Sequence, residues 1–259
     1  MESELACIDG HLVDVADAVI PVTDRGLIRG DGAFEVITLY GGRPYALDAH
    51  LARLARSAEG LRLPVDLAAV RADVDALLAT RDGGDELLRI MCTRGGHRIL
   101  LIEPLGPLPE TIALEPITYA PTRVLDGIKS LSYGANMLAQ RLARERGADD
   151  ALLVSPHGRV LECPTASFFL VRDGVVATPP LSDHILDSIT RRLVLAVAEV
   201  REEPIELAAL AEAQEAFAVS SGQEVAPVHR VGEHEYAAPG PRTREIASLV
   251  REAILAELR

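Results

Sequence analysis

The chain has no tryptophan, only 4 phenylalanines and 5 tyrosines, 3 cysteines, and a single lysine, Lys129, among 26 basic residues. No run of 18 apolar residues occurs, so no segment is expected to span a bilayer. The opening MESELACIDGHLVD lacks a basic n-region and an apolar h-region, so no secretory signal is expected. Cys7, Cys92 and Cys163 are odd in number, far apart and without CxxC spacing. That argues against a disulfide frame and a zinc site, and for reduced thiols in a cytoplasmic protein. The 7 histidines are dispersed without metal-ligand spacing. Positive charge is also short. The formal net charge is −13, which disfavours nucleic acid and anionic membranes as partners. Neither a G-x-S-x-G elbow nor a GK[ST] phosphate loop is present.

What remains is an ordinary globular composition over 259 residues, with 48% hydrophobic and 25% charged residues, enough chain for a substantial core. LACID and HLVDV read as a short hairpin about Gly10, and AFEVITLYGGRPYAL as two strands joined at Gly41-Gly42. Asp48 is a candidate N-cap for a helix carrying Leu51, Leu54, Ala55, Ala58 and Leu61 on one face. A second helix is expected over Val65–Ala79, before the breaker RDGGD. LLRIMCT and RILLIE read as a buried hairpin, and TIALEPITYAP as the start of another strand.

The proline-bounded EPITYAPTR is a candidate linker. After it comes a helix, NMLAQRLARERG, with Leu138, Ala139 and Leu142 inward and Gly147 as its stop. DALLVS, RVLE, SFFLV, VVAT, AFAVSS and EVAPVH read as strands. SITRRLVLAVAEV reads as a helix capped by Ser188, and a further helix closes the chain. Strands grouped with helices, without strict βαβ alternation, indicate an α+β protein. Two subdomains are expected, over 1–117 and 124–259, joined by a linker at 118–123.

The lone lysine sits in DGIKSLSYGAN. Biased codon usage explains the loss of lysines but not the retention of one. An amine condenses with an aldehyde; a guanidinium, always protonated and delocalised, does not. Lys129 is therefore either a leftover surface residue or the amine of a Schiff-base enzyme, and its apolar flanks favour the second.

From DRGLIRGDGAFEVI to SSGQEVAPV, the motifs resemble, in order, those of the class IV (fold type IV) pyridoxal-phosphate (PLP) enzymes. That family includes the branched-chain and D-amino-acid aminotransferases, the (R)-amine transaminases and the aminodeoxychorismate lyases. The resemblance implies a D-amino-acid-aminotransferase-like fold, PLP held in the cleft between the subdomains, and a homodimer. It implies that Lys129 in IKSLSY forms the Schiff base and moves the proton. The resemblance further implies that Glu162 in GRVLECPTASFFLV faces the pyridine nitrogen, where a carboxylate keeps the ring an electron sink. It implies too that Arg53 in HLARLARSA binds the phosphate, together with Ile189 and Thr190 in DSITRR and Ser221 and Gly222 in SSGQE. A helix N-terminus suits such a dianion. Tyr133 either lies near the cofactor's 3′-oxygen or is a core aromatic.

Some positions depart from the family. Ser167 stands where the glutamate motif usually has Asn. Val36 and Thr38 replace the Gly and Arg of the branched-chain FEGIR, and Phe34 replaces the Tyr of the D-amino-acid GDGVYEV. Phe34 and Thr38 are thereby candidate substrate-pocket residues. His97 and Arg98 in TRGGHRILL are candidates for a substrate carboxylate, at shorter spacing and in reversed order; Arg98 alternatively opens a strand with its head in water.

The expected activity is transamination between an amino acid or amine and a 2-oxo acid. The alternatives are a lyase that releases pyruvate and 4-aminobenzoate, and a non-catalytic PLP carrier, which the intact set Arg53, Lys129, Glu162 and Thr190 opposes.

Overall fold

The computed structural model describes residues 4–259. The chain divides into two compact units. One runs up to Gly106 and takes back Ile128–Tyr133; the other comprises Pro107–Gly127 and Gly134–Arg259.

The first unit is built on β1 (Leu5–Ile8), β2 (His11–Asp14), β3 (Gly32–Tyr40), β4 (Arg43–Pro44), β5 (Glu86–Thr93) and β6 (Arg98–Pro104). They form one antiparallel sheet in the order β2-β1-β6-β5-β3-β4. The Gly41-Gly42 turn joins β3 to β4, with φ of 55° and 78°, a pair of left-handed residues that suits the twist of a tight hairpin. A short α1 (Arg25–Arg29) precedes β3, and α2 (Leu47–Gly60) and α3 (Leu67–Leu78) cover one sheet face. Leu51, Leu54, Ala58, Val70, Val74 and Leu77 from those helices pack on Ile37, Leu39, Leu88, Ile90 and Leu100. The 3.6-residue spacing on the helices and the two-residue spacing on the strands generate this interface.

Asp48 does not cap α2. Ala46 does, in left-handed conformation at φ 52° and with no side-chain bond, while Asp48 lies in the first turn and pairs with Arg71. There its charge still favours the positive helix end. Asp66 caps α3, accepting from the Ala68 and Ala69 N–H groups.

The second unit contains β7 (Ile112–Thr118), α4 (Gly134–Glu145), β8 (Asp150–Val154), β9 (Ser167–Arg172), β10 (Val175–Thr178), α5 (Ile189–Val197), β11 (Val200–Glu202), β12 (Glu215–Ser220), β13 (Glu224–Val231), β14 (His234–Glu235) and α6 (Pro241–Glu257). The sheet order is β11-β10-β9-β12-β13-β7-β8, with β14 on β13; the β10–β11, β13–β7 and β7–β8 pairs are parallel. Residues 118–123 begin at the last residue of β7 and lead into a 3-10 turn at Arg123–Leu125.

Helix α4 packs Ala139 and Ala143 on Ala113, Ile117, Ala151 and Leu153, with Leu142 partly buried beside them. Leu138, expected inward, is 50% exposed, because the small-residue stripe Ala139/Ala143 takes the sheet side and turns Leu138 outward. RVLE forms no strand; it contributes two isolated bridges, Val154 to Val160 and Arg159 to Glu206. Ser188 caps α5 as expected.

Candidate active site

Lys129 lies in the segment that returns to the first unit. There Phe34 N–H donates to the Lys129 carbonyl at 3.1 Å and Leu131 N–H to the Gly32 carbonyl at 2.8 Å, so the segment runs antiparallel along the start of β3. Gly32 permits this approach, since a Cβ there would stand 2.4 Å from the Cys92 carbonyl and 2.6 Å from the Leu131 side chain. The Lys129 N–H donates to Ser57 Oγ on α2 at 3.1 Å. Thus a strand and a helix both fix the backbone that carries the amine.

The Lys129 Nζ stands 4.5 Å from the centroid of the Phe34 ring and 5.8 Å from that of Tyr133. The two rings meet edge-on, 5.2 Å apart at 84°. Aromatic faces attract an ammonium group and limit where it can go. Tyr133, open in sequence between core and cofactor roles, is half-buried and forms one wall around the amine.

Arg53 lies on the α2 face that also carries His50 and Ser57, spaced for a single helix side. Its Nε donates to Glu35 Oε1 at 2.8 Å and its Nη2 to Oε2 at 2.6 Å. His50 Nδ1 meets the same Oε2 at 2.8 Å. Glu35 is fully buried on β3, among Ala33, Ile37 and Leu39, whose side chains face α2. Burial opposes its ionisation, yet the hydrogen bonds from Arg53 and His50 and the charge of Arg53 outweigh burial and bring its pKa down to about 2. Burial pushes the His50 pKa down, against the pull of Glu35, and the positive charges of Arg53 and Lys129 add to the depression. His50 is therefore neutral at pH 7 and donates Nδ1–H to Glu35.

The second unit carries the other expected residues. Glu162 accepts the Leu186 N–H on both oxygens, each at 3.2 Å. Nearby, Tyr119 OH donates to Asn136 Oδ1 at 3.1 Å and Asn136 Nδ2 to the Pro164 carbonyl at 3.1 Å. Burial, and then the charge of Glu162, raise the Tyr119 pKa, keeping that hydroxyl protonated. Ile189 and Thr190 form the first turn of α5, where helix geometry leaves N–H groups without intrahelical acceptors. Ser221 and Gly222 occupy the turn between β12 and β13, closed by Gln223 N–H to the Ser220 carbonyl at 3.4 Å.

Phe34 and Thr38 are both buried and lie on the β3 face opposite Glu35. His97 and Arg98 meet carboxylates of this same chain: His97 Nδ1 reaches Asp9 Oδ2 at 2.7 Å, and Arg98 Nε donates to Asp73 Oδ2 at 2.7 Å. On the Phe34 side of the sheet, Arg89 stands 6.0 Å from the Phe34 ring and pairs with Glu103 through Nε, at 3.0 and 2.9 Å to the two oxygens. Glu35, Ser57, Leu186, Asn136 and Arg89 were not singled out by sequence. For Glu35 a signal exists: a charged residue in the middle of the apolar strand GAFEVITL must be paired if the strand is buried on both faces.

The sequence profile of the Amino-transferase class IV family matches residues 32–231. The chain belongs to the class IV aminotransferases. A putative branched-chain-amino-acid aminotransferase of Methanocaldococcus jannaschii is 33% identical over 250 residues, 86% of each chain. A D-alanine aminotransferase of Bacillus licheniformis is 29% identical over 277 residues, 96% of each. A solved structure, a hypothetical aminotransferase from Mycobacterium tuberculosis in its PLP-bound form, is 26% identical, with a TM-score of 0.87 over 98% of this chain and 99% of that one.

The α+β fold expected from sequence is therefore observed and is that of the fold type IV transaminases. The family is PLP-dependent. The aminotransferase names carried by these relatives favour transfer over the lyase alternative. The residues of this aminotransferase suit PLP by their donor chemistry. The first unit offers one amine and a buried guanidinium; the second offers a carboxylate, held by a backbone N–H, and a capped helix N-terminus. Among the described residues no helix is long and apolar enough to cross a membrane.

Proposed function

We propose that this aminotransferase moves an amino group from an amino acid to a 2-oxo acid with PLP as its resident cofactor, and that Lys129 carries the chemistry. The supporting observation is the setting of Lys129: its backbone is tied to β3 and α2, and its Nζ stands 4.5 Å from the Phe34 ring. When bound, PLP supplies an aldehyde carbon for the donor's nitrogen and a ring that accepts the electron pair left at the donor's α-carbon. Lys129 Nζ would hold the cofactor through its aldehyde and would be the group that moves the proton at the donor's α-carbon. Its tether to two rigid elements keeps the proton path short and constant.

Glu162 holds the ring nitrogen in its protonated form, and the Leu186 N–H orients that carboxylate. Arg53, the first-turn N–H groups at Ile189 and Thr190, and the Ser221-Gly222 turn hold the phosphate. Phe34 and Thr38 contribute to the donor pocket, and Tyr133 guides the amine. Arg89 joins His97 and Arg98 as a candidate partner for a substrate carboxylate, because it shares the Phe34 ring with Lys129; Glu103 engages it as Asp9 and Asp73 engage those two.

The working unit is a homodimer, a reading supported by Val19, Val22 and Leu27, which leave large apolar side chains 78%, 79% and 61% exposed on the first unit. The experiment is single-turnover absorbance of the PLP-loaded protein on addition of L-leucine, D-alanine or (R)-1-phenylethylamine. Conversion to the pyridoxamine phosphate form by one donor, reversed by a 2-oxo acid, is the expected result and names the donor class. A protein that binds PLP and is converted by no amino donor is a carrier, and the proposal fails.

A further inference from the structure

We infer that Glu35 and His50 are positioning residues for Arg53, and that through it they set how tightly the protein holds the cofactor's phosphate. This rests on the reading of Arg53 as a phosphate-binding residue.

The starting point is an expense that packing does not explain. Glu35 is fully buried in the middle of β3, in a row with Ala33, Ile37 and Leu39. An apolar residue there would complete the same layer, and replacing a buried ion pair with apolar groups is often neutral or stabilising. The carboxylate is required only if Arg53, itself 4% exposed, must stay charged and point in one direction.

The geometry meets that requirement. Both Nε and Nη2 of Arg53 bond to the two oxygens of one carboxylate, at 2.8 and 2.6 Å, which fixes the plane of the guanidinium, since rotation breaks both bonds. His50, one turn earlier on α2, holds Oε2 through Nδ1 at 2.8 Å, so the carboxylate is itself braced. Because His50 is neutral, Arg53, Glu35 and His50 together carry no net charge. The site can then fold without phosphate, and an arriving dianion meets N–H donors already in place. Ser57, one turn beyond Arg53, accepts the Lys129 N–H, so a single helix face registers the guanidinium against the backbone of the reactive amine.

The test is a double-mutant cycle read by the PLP dissociation constant of the apoprotein, from equilibrium absorbance and fluorescence titration. Apo thermal unfolding is recorded for each variant. Glu35→Gln keeps the shape and removes the charge; it is expected to raise the Kd about tenfold, the scale of one charge-assisted hydrogen bond. In the Arg53→Lys background the same change is expected to move the Kd by less than about twofold, because the residue it acts through is gone. His50→Gln is expected to raise the Kd about threefold, and its own cycle with Arg53→Lys carries the test if Glu35→Gln gives no folded protein. An unchanged Kd, or an equal loss in both backgrounds, overturns the inference while leaving the cofactor reading intact. A wild-type protein that takes up no PLP overturns both.

Discussion

The Nζ of Lys129 stands 4.5 Å from the centre of the Phe34 ring, and the Phe34 N–H donates to the Lys129 carbonyl at 3.1 Å. Lys129 is thus held twice by the same residue, once through its backbone and once through its side chain. β-Pairing fixes where the lysine leaves the chain, and the aromatic face limits where its amine can swing.

Phe34→Leu retains the strand and the backbone bond while removing the ring. The expected outcome is a kcat lower by about tenfold, on the scale of a partly desolvated cation–π contact of about 1–2 kcal/mol. PLP uptake is expected to change little. Stopped-flow single-turnover kinetics alongside a PLP titration separate the two. An undiminished kcat would show that the ring does not position the amine.

Glu35 makes stability dependent on acidity. Its folded pKa of about 2 lies below the ordinary value of 4.5. A depressed carboxylate stabilises the fold above its unfolded pKa, and that contribution drains away as pH falls from about 4.5 towards about 2. At 1.36 kcal/mol per unit, the contribution is about 3 kcal/mol at neutral pH. Urea denaturation of wild type and Glu35→Gln across pH 2.5–7 is the measurement. The gap between them is expected to be full at pH 7 and to narrow below about pH 4.5; a gap independent of pH would refute the assignment.

Glu215 tests a structural element that is not part of the proposed site. Its carboxylate accepts the N–H groups of Arg242 and Thr243 at 3.0 and 2.8 Å and the Thr243 hydroxyl at 2.7 Å, and so caps α6 from β12. Gly240 makes room for it, because a Cβ there would lie 2.1 Å from the carboxyl carbon. Glu215→Ala is expected to cost about 2–3 kcal/mol in chemical unfolding, since it strips a charged cap and leaves buried donors unmet. The kcat at saturating PLP is expected to stay within about twofold of wild type.

The sequence made the repeating elements legible because their periods are local. The alternation in AFEVITLY and RILLIE and the helical spacing of Leu51, Leu54 and Ala58 each appear within a few residues. Lys129 stood out in the sequence for a different reason: it is the single lysine, and an arginine does not offer an amine's chemistry.

What was not legible depends on partners distant in the chain. Asp48 and Ala46 compete for the start of α2, and the left-handed turn at Ala46 that follows the β3–β4 hairpin decides it. Leu138 and Ala139 compete for the inward side of α4, and the small residues of β7 and β8 admit the alanine stripe. Glu35 and His50 are 15 residues apart, and nothing in either local pattern says that they meet. His97 and Arg98 have the side chains a carboxylate site needs, but Asp9 and Asp73 claim them only once β1 and α3 have packed.

The most direct measurement is borohydride reduction of the PLP-loaded protein, followed by proteolysis and mass spectrometry. With one lysine in the chain, the account expects the reduced cofactor on the peptide that carries Lys129, and none after Lys129→Ala. A cofactor found on the α-amino group, or PLP bound with no reducible link to Lys129, would contradict it.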